Sequence, residues 1–272
     1  MHSELFQIGP FTLRVYGLCM ALGFLFGWMA AVRLCRRTGQ NADGLTSLLT
    51  WLMVSAVFGA RTAYVMEHWS SEFAGDPLAI IRVDQGGLMF YGGLIAAALV
   101  LLLYARVYRQ HLLQITDIVL AVVPLGHAFG RLGCFMHGCC YGKLTRSCIG
   151  VSFPKDSPAW WEQVSAVPPL LTQAALRSLP VIPTQLIESA ANVILFAVLF
   201  TLYPKRYAAR GFITGCYLIS YAVLRFSIEY LRGDPRMAIG PFSISQAISL
   251  GLLLLGLFCL RYSERPAATA SR

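Results

Sequence analysis

Apolar residues gather in seven long runs along the 272-residue chain, separated mostly by short polar connectors. A helix needs about 20 apolar residues to cross the hydrocarbon core of a bilayer. The runs lie at roughly 14–33, 45–65, 87–106, 113–132, 184–203, 211–230 and 243–261. This pattern predicts an all-α polytopic membrane protein with seven transmembrane helices and a single domain over residues 1–272.

Composition supports a membrane location, because 57% of the residues are hydrophobic and only 13% are charged. Such a chain has too little polar surface to cover itself in water. One longer stretch, at about 143–182, is rich in proline and includes Trp160 and Trp161. Tryptophan is favoured at the membrane interface. We therefore expect an external loop or arm that lies along the outer interface.

The basic residues predict the orientation of the chain. Half of the 22 Lys and Arg residues fall in four connectors, in which only Asp43 and Glu264 oppose them: 33–44, 106–112, 204–210 and 261–272. By the positive-inside rule these connectors are cytoplasmic, which places the N-terminus outside and the C-terminus inside. Because the charge is spread over four connectors and is not gathered on one soluble face, we expect no nucleic-acid partner.

Several ionisable residues fall within the predicted spans or at their outer ends: Arg61, Arg131, Glu188, Arg225 and Glu229. Each such group costs on the order of 3 kcal/mol at membrane depth, so function is the default explanation. Tyr221, Arg225 and Glu229 are spaced i, i+4 and i+8 and share one helix face, with Arg232 one turn beyond. This stripe could be an ion pair that only joins helices. An excess of arginines over carboxylates instead favours a bound anion such as a phosphate.

The segment "HAFGRLGCFMHGCCYGK", residues 127–143, adds further polar groups at the outer end of the fourth span. His127 and Arg131 are four residues apart and share a helix face. Glycines at 130, 133, 138 and 142 let backbone N–H groups approach a ligand closely. The segment therefore predicts a seat for a phosphate.

The cysteines of this segment allow a second interpretation. A metal would need four ligands from a set that the chain could supply: Cys134, His137, Cys139, Cys140 and Cys148. No paired CxxC spacing is present, and adjacent side chains such as Cys139 and Cys140 point apart in regular backbone. We therefore favour a structural disulfide, in which Cys139 or Cys140 pairs with Cys134 or Cys148 on the oxidising side of the membrane.

Motifs in order along the chain resemble those of the prolipoprotein diacylglyceryl transferase family. "GRLGCFMHGCCYGK" resembles the family signature GRxGNFxNxExxG, and "GGLMFYGGL" at 86–94 resembles a GGxSFHGG loop. "IPTQLIES" at 182–189 is similar to HPxQLYE, and "YAVLRFSIEYLR" at 221–232 is similar to YGxxRFxxEFxR. Shorter matches are "LRVYG" at 13–17, "GART" at 59–62 and "SISQ" at 243–246. Together they extend from Tyr16 to Gln246.

The resemblance implies a reaction and its partners. The expected enzyme moves the diacylglyceryl group of phosphatidylglycerol onto the lipobox cysteine thiol of a prolipoprotein, which forms a thioether and releases glycerol 1-phosphate. It would act in the bacterial inner membrane, among membrane lipids, with its active site toward the periplasm. No metal or other cofactor is expected.

The resemblance also implies site residues. Arg131 and Arg225 would bind the lipid phosphate. The other residues that it places in the site are Tyr16, Tyr91, Gly92, Gly93, Gly142, Glu188, Glu229 and Arg232. Gln185 is expected to brace the fifth span, and Glu188 could have the same structural role. Tyr16 could instead be an interface anchor.

Three departures from the family pattern affect the assignment of the catalytic base. Tyr91 replaces the histidine of the FHGG loop, Cys134 replaces the signature asparagine and Cys139 replaces the signature glutamate. A phenol with a pKa near 10 is a poor base at neutral pH, so His127 or His137 is expected to take that role, although either could be structural. The alternative function is a divergent membrane protein that uses its Cys and His cluster for metal binding or thiol redox chemistry.

Overall fold

The computed structural model describes residues 4–8, 11–82, 86–234, 238–239 and 242–263. Seven long helices within these ranges are apolar enough to cross a membrane, which confirms the predicted fold class. They are α1 (Val15–Arg37), α2 (Ala42–Glu67), α3 (Phe90–Val107), α4 (Leu112–His137), α6 (Thr184–Arg206), α7 (Phe212–Glu229) and α8 (Ile244–Arg261). A short helix, α5 (Pro158–Ser165), lies in the long connector between α4 and α6.

Small irregular elements that the apolar pattern did not predict lie outside the spans. Strands β1 (Glu4–Ile8) and β2 (Phe11–Arg14) form an antiparallel ribbon before α1, and β3 (Ala238–Ile239) pairs with β4 (Phe242–Ser243) before α8. Between α2 and α3 the chain makes a π-helical turn at Trp69–Phe73 and a 3₁₀ turn at Pro77–Ile81. These elements are too short to carry a clear periodicity in the sequence.

Local side-chain contacts define several helix ends. The Asn41 side chain accepts hydrogen bonds from the backbone N–H groups of Asp43 and Gly44 at the start of α2. Ser243 and Gln246 form a reciprocal capping box at the start of α8. Helix α4 is capped at its C-terminal end by Gly138, whose φ of +81° is the left-handed conformation that glycine adopts without strain.

Helix α4 is the centre of the bundle, since it contacts α1, α3, α6 and α7. Other helix pairs in contact include α2 with α3, α7 with α8, α6 with α7 and α1 with α2. A buried core joins α1, α2, α4, α6 and α7, with members such as Leu34, Leu48, Ile118, Leu199 and Ile213. The outer faces of the helices expose large apolar residues, including Phe58, Leu103, Ile194 and Leu254. Such a surface is suited to lipid.

The connector between α4 and α6 folds into a compact arm with its own small core of Tyr141, Phe153, Ala159 and Val181. Trp160 is only 1% exposed, and its indole N–H donates to the Ala175 carbonyl at 2.8 Å. Trp160 therefore belongs to the core of the arm and is not the interface residue that the sequence predicted. Its neighbour Trp161 is exposed.

Backbone hydrogen bonds tie the start of this arm to the neighbouring helices. The Gly142 N–H donates to the Ile182 carbonyl and the Lys143 N–H to the Leu231 carbonyl, both at 2.8 Å. The arm is thereby fixed against the segment before α6 and the segment after α7.

Candidate active site

Glu188, in the second turn of α6, is the centre of a buried polar cluster. Its side chain is 1% exposed, and one carboxylate oxygen lies 2.9 Å from the Arg131 Nη2 and 3.5 Å from the His127 Nε2. The contact with Arg131 is an ion pair whose alignment falls short of a hydrogen bond. Because Arg131 and His127 are one turn apart on α4, a single carboxylate serves both.

Helix α7 contributes a second arginine to this cluster. The Arg225 Nη2 lies 3.1 Å from a carboxylate oxygen of Glu229 and donates to the Ser245 hydroxyl of α8 at 3.0 Å. The Tyr221 ring packs against His127 with ring centroids 5.5 Å apart. Both Arg131 and Arg225 interact electrostatically with Glu188, so the two predicted phosphate ligands lie in the same site.

Each of these arginines retains an unused donor. Within the part of the chain that the structure describes, the Arg131 Nε and the Arg225 Nη1 are buried without a hydrogen-bond partner. Buried donors almost always have a partner, and leaving one unmade costs about 1–3 kcal/mol. Each of these two donors, one on α4 and one on α7, is therefore available for a hydrogen bond to an anionic oxygen.

The predicted unpaired guanidinium is wrong, because each arginine of the cluster has a carboxylate partner. Arg131 pairs with Glu188, Arg225 with Glu229, and the third site arginine, Arg232, forms a two-point contact with the carboxylate of Asp234 at 2.9 and 2.7 Å. The case for an anion therefore depends on the unused N–H groups and not on a surplus of charge.

Arg61 has a structural role outside this cluster. Its guanidinium donates to the carbonyl oxygens of a single looped segment: Ala79, Ile80, Arg82, Gly86 and Gly87. It holds the connector between α2 and α3 in place and has no need of an anion. Sequence alone could not show this, because the accepting groups are backbone atoms.

The three glycines at family motif positions, Gly92, Gly93 and Gly142, lie where backbone segments pack closely. A Cβ at Gly142 would lie 2.7 Å from the Leu231 carbonyl oxygen, and the Gly142 backbone pairs with that of Arg232. Gly92 lies against Gly59 and Ala63 of α2, and its neighbour Gly93 faces the same helix. These contacts give all three glycines a packing role, whatever they contribute to a ligand.

The two predicted site tyrosines are half-exposed. Tyr16, in the first turn of α1, packs against Gly133 of α4 and interacts electrostatically with Arg131. Tyr91, in the first turn of α3, is 54% exposed and makes an edge contact with Phe90. Tyr16 thus borders the polar cluster, and Tyr91 lies on an open helix face.

Three thiols come together beside the cluster. The sulfurs of Cys134, Cys139 and Cys140 lie within 4.8 Å of one another. Cys140 has a φ of +62°, so its backbone is not regular and the expectation that adjacent thiols point apart is wrong. Cys148 is exposed and outside this group, and the predicted disulfide is absent because all four are free thiols.

Charge and hydrogen bonds act on one member of this thiol cluster. Hydrogen bonds from Cys134 and Cys139, together with the Arg232 guanidinium, lower the pKa of the Cys140 thiol. The Gln185 side chain donates to the Cys139 carbonyl at 2.7 Å, which gives this residue a bracing role as predicted. His137 is exposed and does not join the three thiols.

The sequence did not predict one contact of the site, the hydrogen bond between Ser245 and Arg225. Ser245 supports Arg225 from the first turn of α8, although "SISQ" was noted as a motif. A hydroxyl at the start of an otherwise apolar span is the signal that could have found it.

The fold and the site together define a polytopic membrane protein whose buried guanidinium groups retain unused hydrogen-bond donors. The family model for prolipoprotein diacylglyceryl transferase matches residues 3–262, and the chain belongs to this family.

Curated relatives match over nearly the full length. A phosphatidylglycerol–prolipoprotein diacylglyceryl transferase of Xanthomonas oryzae pv. oryzae (strain PXO99A) is 33% identical over 269 residues, which cover 96% of this chain and 90% of the relative. The protein of the same name from Xylella fastidiosa (strain M12) is 31% identical over 276 residues, with coverages of 96% and 92%.

Proposed function

We propose that this protein transfers the diacylglyceryl group of phosphatidylglycerol to the lipobox cysteine thiol of a prolipoprotein. The products are a thioether and glycerol 1-phosphate. The observation that carries this proposal is the pair of unused, buried N–H donors on Arg131 and Arg225. Full-length similarity to relatives named as this transferase gives independent support. It also disfavours a metal-binding or redox protein without transferase activity.

The arrangement suits displacement of a phosphate from the glyceryl carbon. The thiolate sulfur forms a bond to this carbon while the carbon–oxygen bond to the phosphate breaks, so negative charge collects on the departing oxygen. Arg131 and Arg225 would donate to this oxygen in a site shielded from water, where charge-assisted hydrogen bonds are strongest. Glu188 and Glu229 keep the two guanidinium groups in position.

His127 is the proposed acceptor of the thiol proton. Its Nε2 lies 3.5 Å from the Glu188 carboxylate, which would stabilise the imidazolium that forms. Tyr16, Tyr91, Gly92, Gly93, Gly142 and Arg232 would line the lipid and peptide path around these groups.

The orientation is part of the proposal. The N-terminus would lie outside and the C-terminus in the cytoplasm of a bacterial inner membrane, with the site toward the periplasm. A membrane-impermeant maleimide should then label Cys148 of the arm in intact spheroplasts, and Cys148→Ser should remove that labelling. Labelling of Cys148 only after permeabilisation would reverse the orientation.

The activity is tested by transfer from labelled phosphatidylglycerol to a synthetic lipobox peptide. Arg131→Ala and Arg225→Ala should each lower kcat/KM by about 100-fold or more, the scale of losing one donor to a developing charge. Cys148→Ser, at an exposed position of the arm, is the matched control and should leave the rate unchanged. Transfer that survives both arginine substitutions, or no transfer by the folded wild-type protein, would contradict the proposal.

A further inference from the structure

Hydrogen bonds from a neighbouring helix hold the loop that completes the three-thiol cluster of Cys134, Cys139 and Cys140. Two of its members, Cys139 and Cys140, follow the end of α4, and their backbone carbonyls accept hydrogen bonds from Gln185 at 2.7 Å and Thr184 at 2.8 Å. Both donors lie in the first turn of α6 and are buried. The loop that carries Cys139 and Cys140 is therefore held in place beside Cys134 by groups of another helix.

The sulfur spacing fits a bound zinc ion. Zinc–sulfur bonds of about 2.3 Å in tetrahedral geometry place the sulfurs about 3.8 Å apart. The sulfurs of the cluster already lie within 4.8 Å of one another, so closure needs movements of about 1 Å at most. Three protein ligands leave the fourth zinc position open, as in catalytic and not structural zinc sites.

The surrounding charges suit the complex that would form. Three thiolates and one Zn²⁺ ion carry a net charge of −1. Arg131 interacts electrostatically with Cys134 and Cys140, and Arg232 interacts with Cys140. These guanidinium groups offset the negative charge of the complex in a part-buried setting.

We propose that Cys134, Cys139 and Cys140 bind a Zn²⁺ ion whose open position takes the substrate thiol of the transfer reaction. The second half of this inference rests on the proposed transferase function. It connects three departures from the family pattern, since Cys134 and Cys139 occupy signature positions in the same chain that has a phenol, Tyr91, in place of a histidine. A metal that deprotonates the thiol replaces part of the work of a base.

The step balances without any redox change. The substrate thiol binds the zinc ion as a thiolate and gives its proton to His127. The thiolate sulfur then forms a carbon–sulfur bond with the glyceryl carbon as the carbon–oxygen bond breaks, and glycerol 1-phosphate leaves with the electron pair of that bond. The neutral thioether dissociates from the zinc ion, which stays on the three cysteines.

Metal binding is tested on the full-length protein purified in detergent. The wild-type protein should hold one equivalent of Zn²⁺, and Co²⁺ in its place should show sulfur-to-cobalt charge-transfer absorption. Cys139→Ser and Cys140→Ser should each weaken Zn²⁺ binding by at least about 100-fold in competition with a chelator, whereas Cys148→Ser should bind as the wild type does. Absence of bound metal, copper in place of zinc, or equal affinity in all variants would overturn the site.

Binding of the substrate thiol to the metal is tested separately, by the absorption spectrum of the Co²⁺-loaded protein. A lipobox peptide should shift the Co²⁺ spectrum, and the same peptide with serine in place of cysteine should not. An unchanged spectrum would show that the metal only holds the loop. Full transfer activity after metal removal would overturn the inference and leave the proposed function standing. Absence of transfer by the zinc-loaded wild type would instead overturn the proposed function.

Discussion

The Glu188 carboxylate interacts with three cationic or protonatable groups. Its carboxylate lies 2.9 Å from Arg131 and 3.5 Å from His127, and it interacts electrostatically with Arg225. A single buried anion thus holds groups of α4 and α7 around the first turns of α6. Removing its charge leaves Arg131 buried without a counter-ion.

We expect Glu188→Gln to destabilise the folded protein, because breaking a buried ion pair from one side costs about 3–5 kcal/mol. The free energy of unfolding in detergent micelles checks this. Glu67→Gln, at an exposed position at the end of α2, is the matched control and should change stability little. Equal stability of the Glu188→Gln variant and the wild type would show that the carboxylate is not the anchor of the cluster.

For single residues, the sequence predicts which polar side chains gather better than it predicts which of them contact each other. The sequence predicts Arg131, Arg225 and Glu229 as site residues because charge at membrane depth demands a reason. It predicts His127 because this residue shares a helix face with Arg131. Their pairing depends on side-chain direction and depth, which no spacing rule supplies. The geometry at Cys140 is the clearest case, since a single positive φ turns two adjacent thiols into one cluster.

Among the elements, α4 carries most of the organisation, and a polar contact near its start fixes α7. The Asp117 carboxylate, fully buried in α4, accepts hydrogen bonds from the Gly211 N–H at 2.8 Å and the Thr214 N–H at 2.7 Å. A carboxylate at this place satisfies donors of the first turn of α7 and complements the positive end of the helix dipole. It sets the position of the helix that bears Arg225.

We expect Asp117→Asn to lower the free energy of unfolding by about 2 kcal/mol, the scale of a charge-assisted hydrogen bond. An amide keeps one acceptor but loses the charge and the second acceptor. Thermal unfolding followed by circular dichroism checks this, with Asp43→Asn, at an exposed first-turn position of α2, as the control. Equal shifts for the two variants would refute a special role for Asp117.

The long elements could be predicted from the sequence because the bilayer requires a fixed apolar length. All seven spans are present, with helix ends that differ from the predicted bounds by a few residues. The sequence predicts that an arm is present at about 143–182, but not how it folds. The two ribbons and the internal fold of the arm could not be predicted, since strands of two to five residues and a loop held by isolated bridges leave no periodic signal. Trp160 shows the same limit: its burial follows from the arm's own core and not from its residue type.

For the whole molecule, the arrangement of the spans brings the site together. Tyr16 and Glu188 lie near helix starts, whereas Arg131 and Arg225 lie near helix ends, so an up-and-down bundle collects all four on one side of the membrane. The exposed apolar faces of the same helices provide the surface that meets lipid. Both proposed substrates are membrane-anchored, so such a site can receive them from the bilayer.

The central claim is that Arg131 and Arg225 act on one phosphate. A double-mutant cycle on kcat/KM for phosphatidylglycerol, with Arg131→Ala, Arg225→Ala and the double variant, tests it most directly. If the two guanidinium groups share the phosphate, the double variant should lose less than the product of the single losses, with a coupling energy above about 1 kcal/mol. Losses that simply multiply would show that the arginines act independently and would contradict a shared phosphate site.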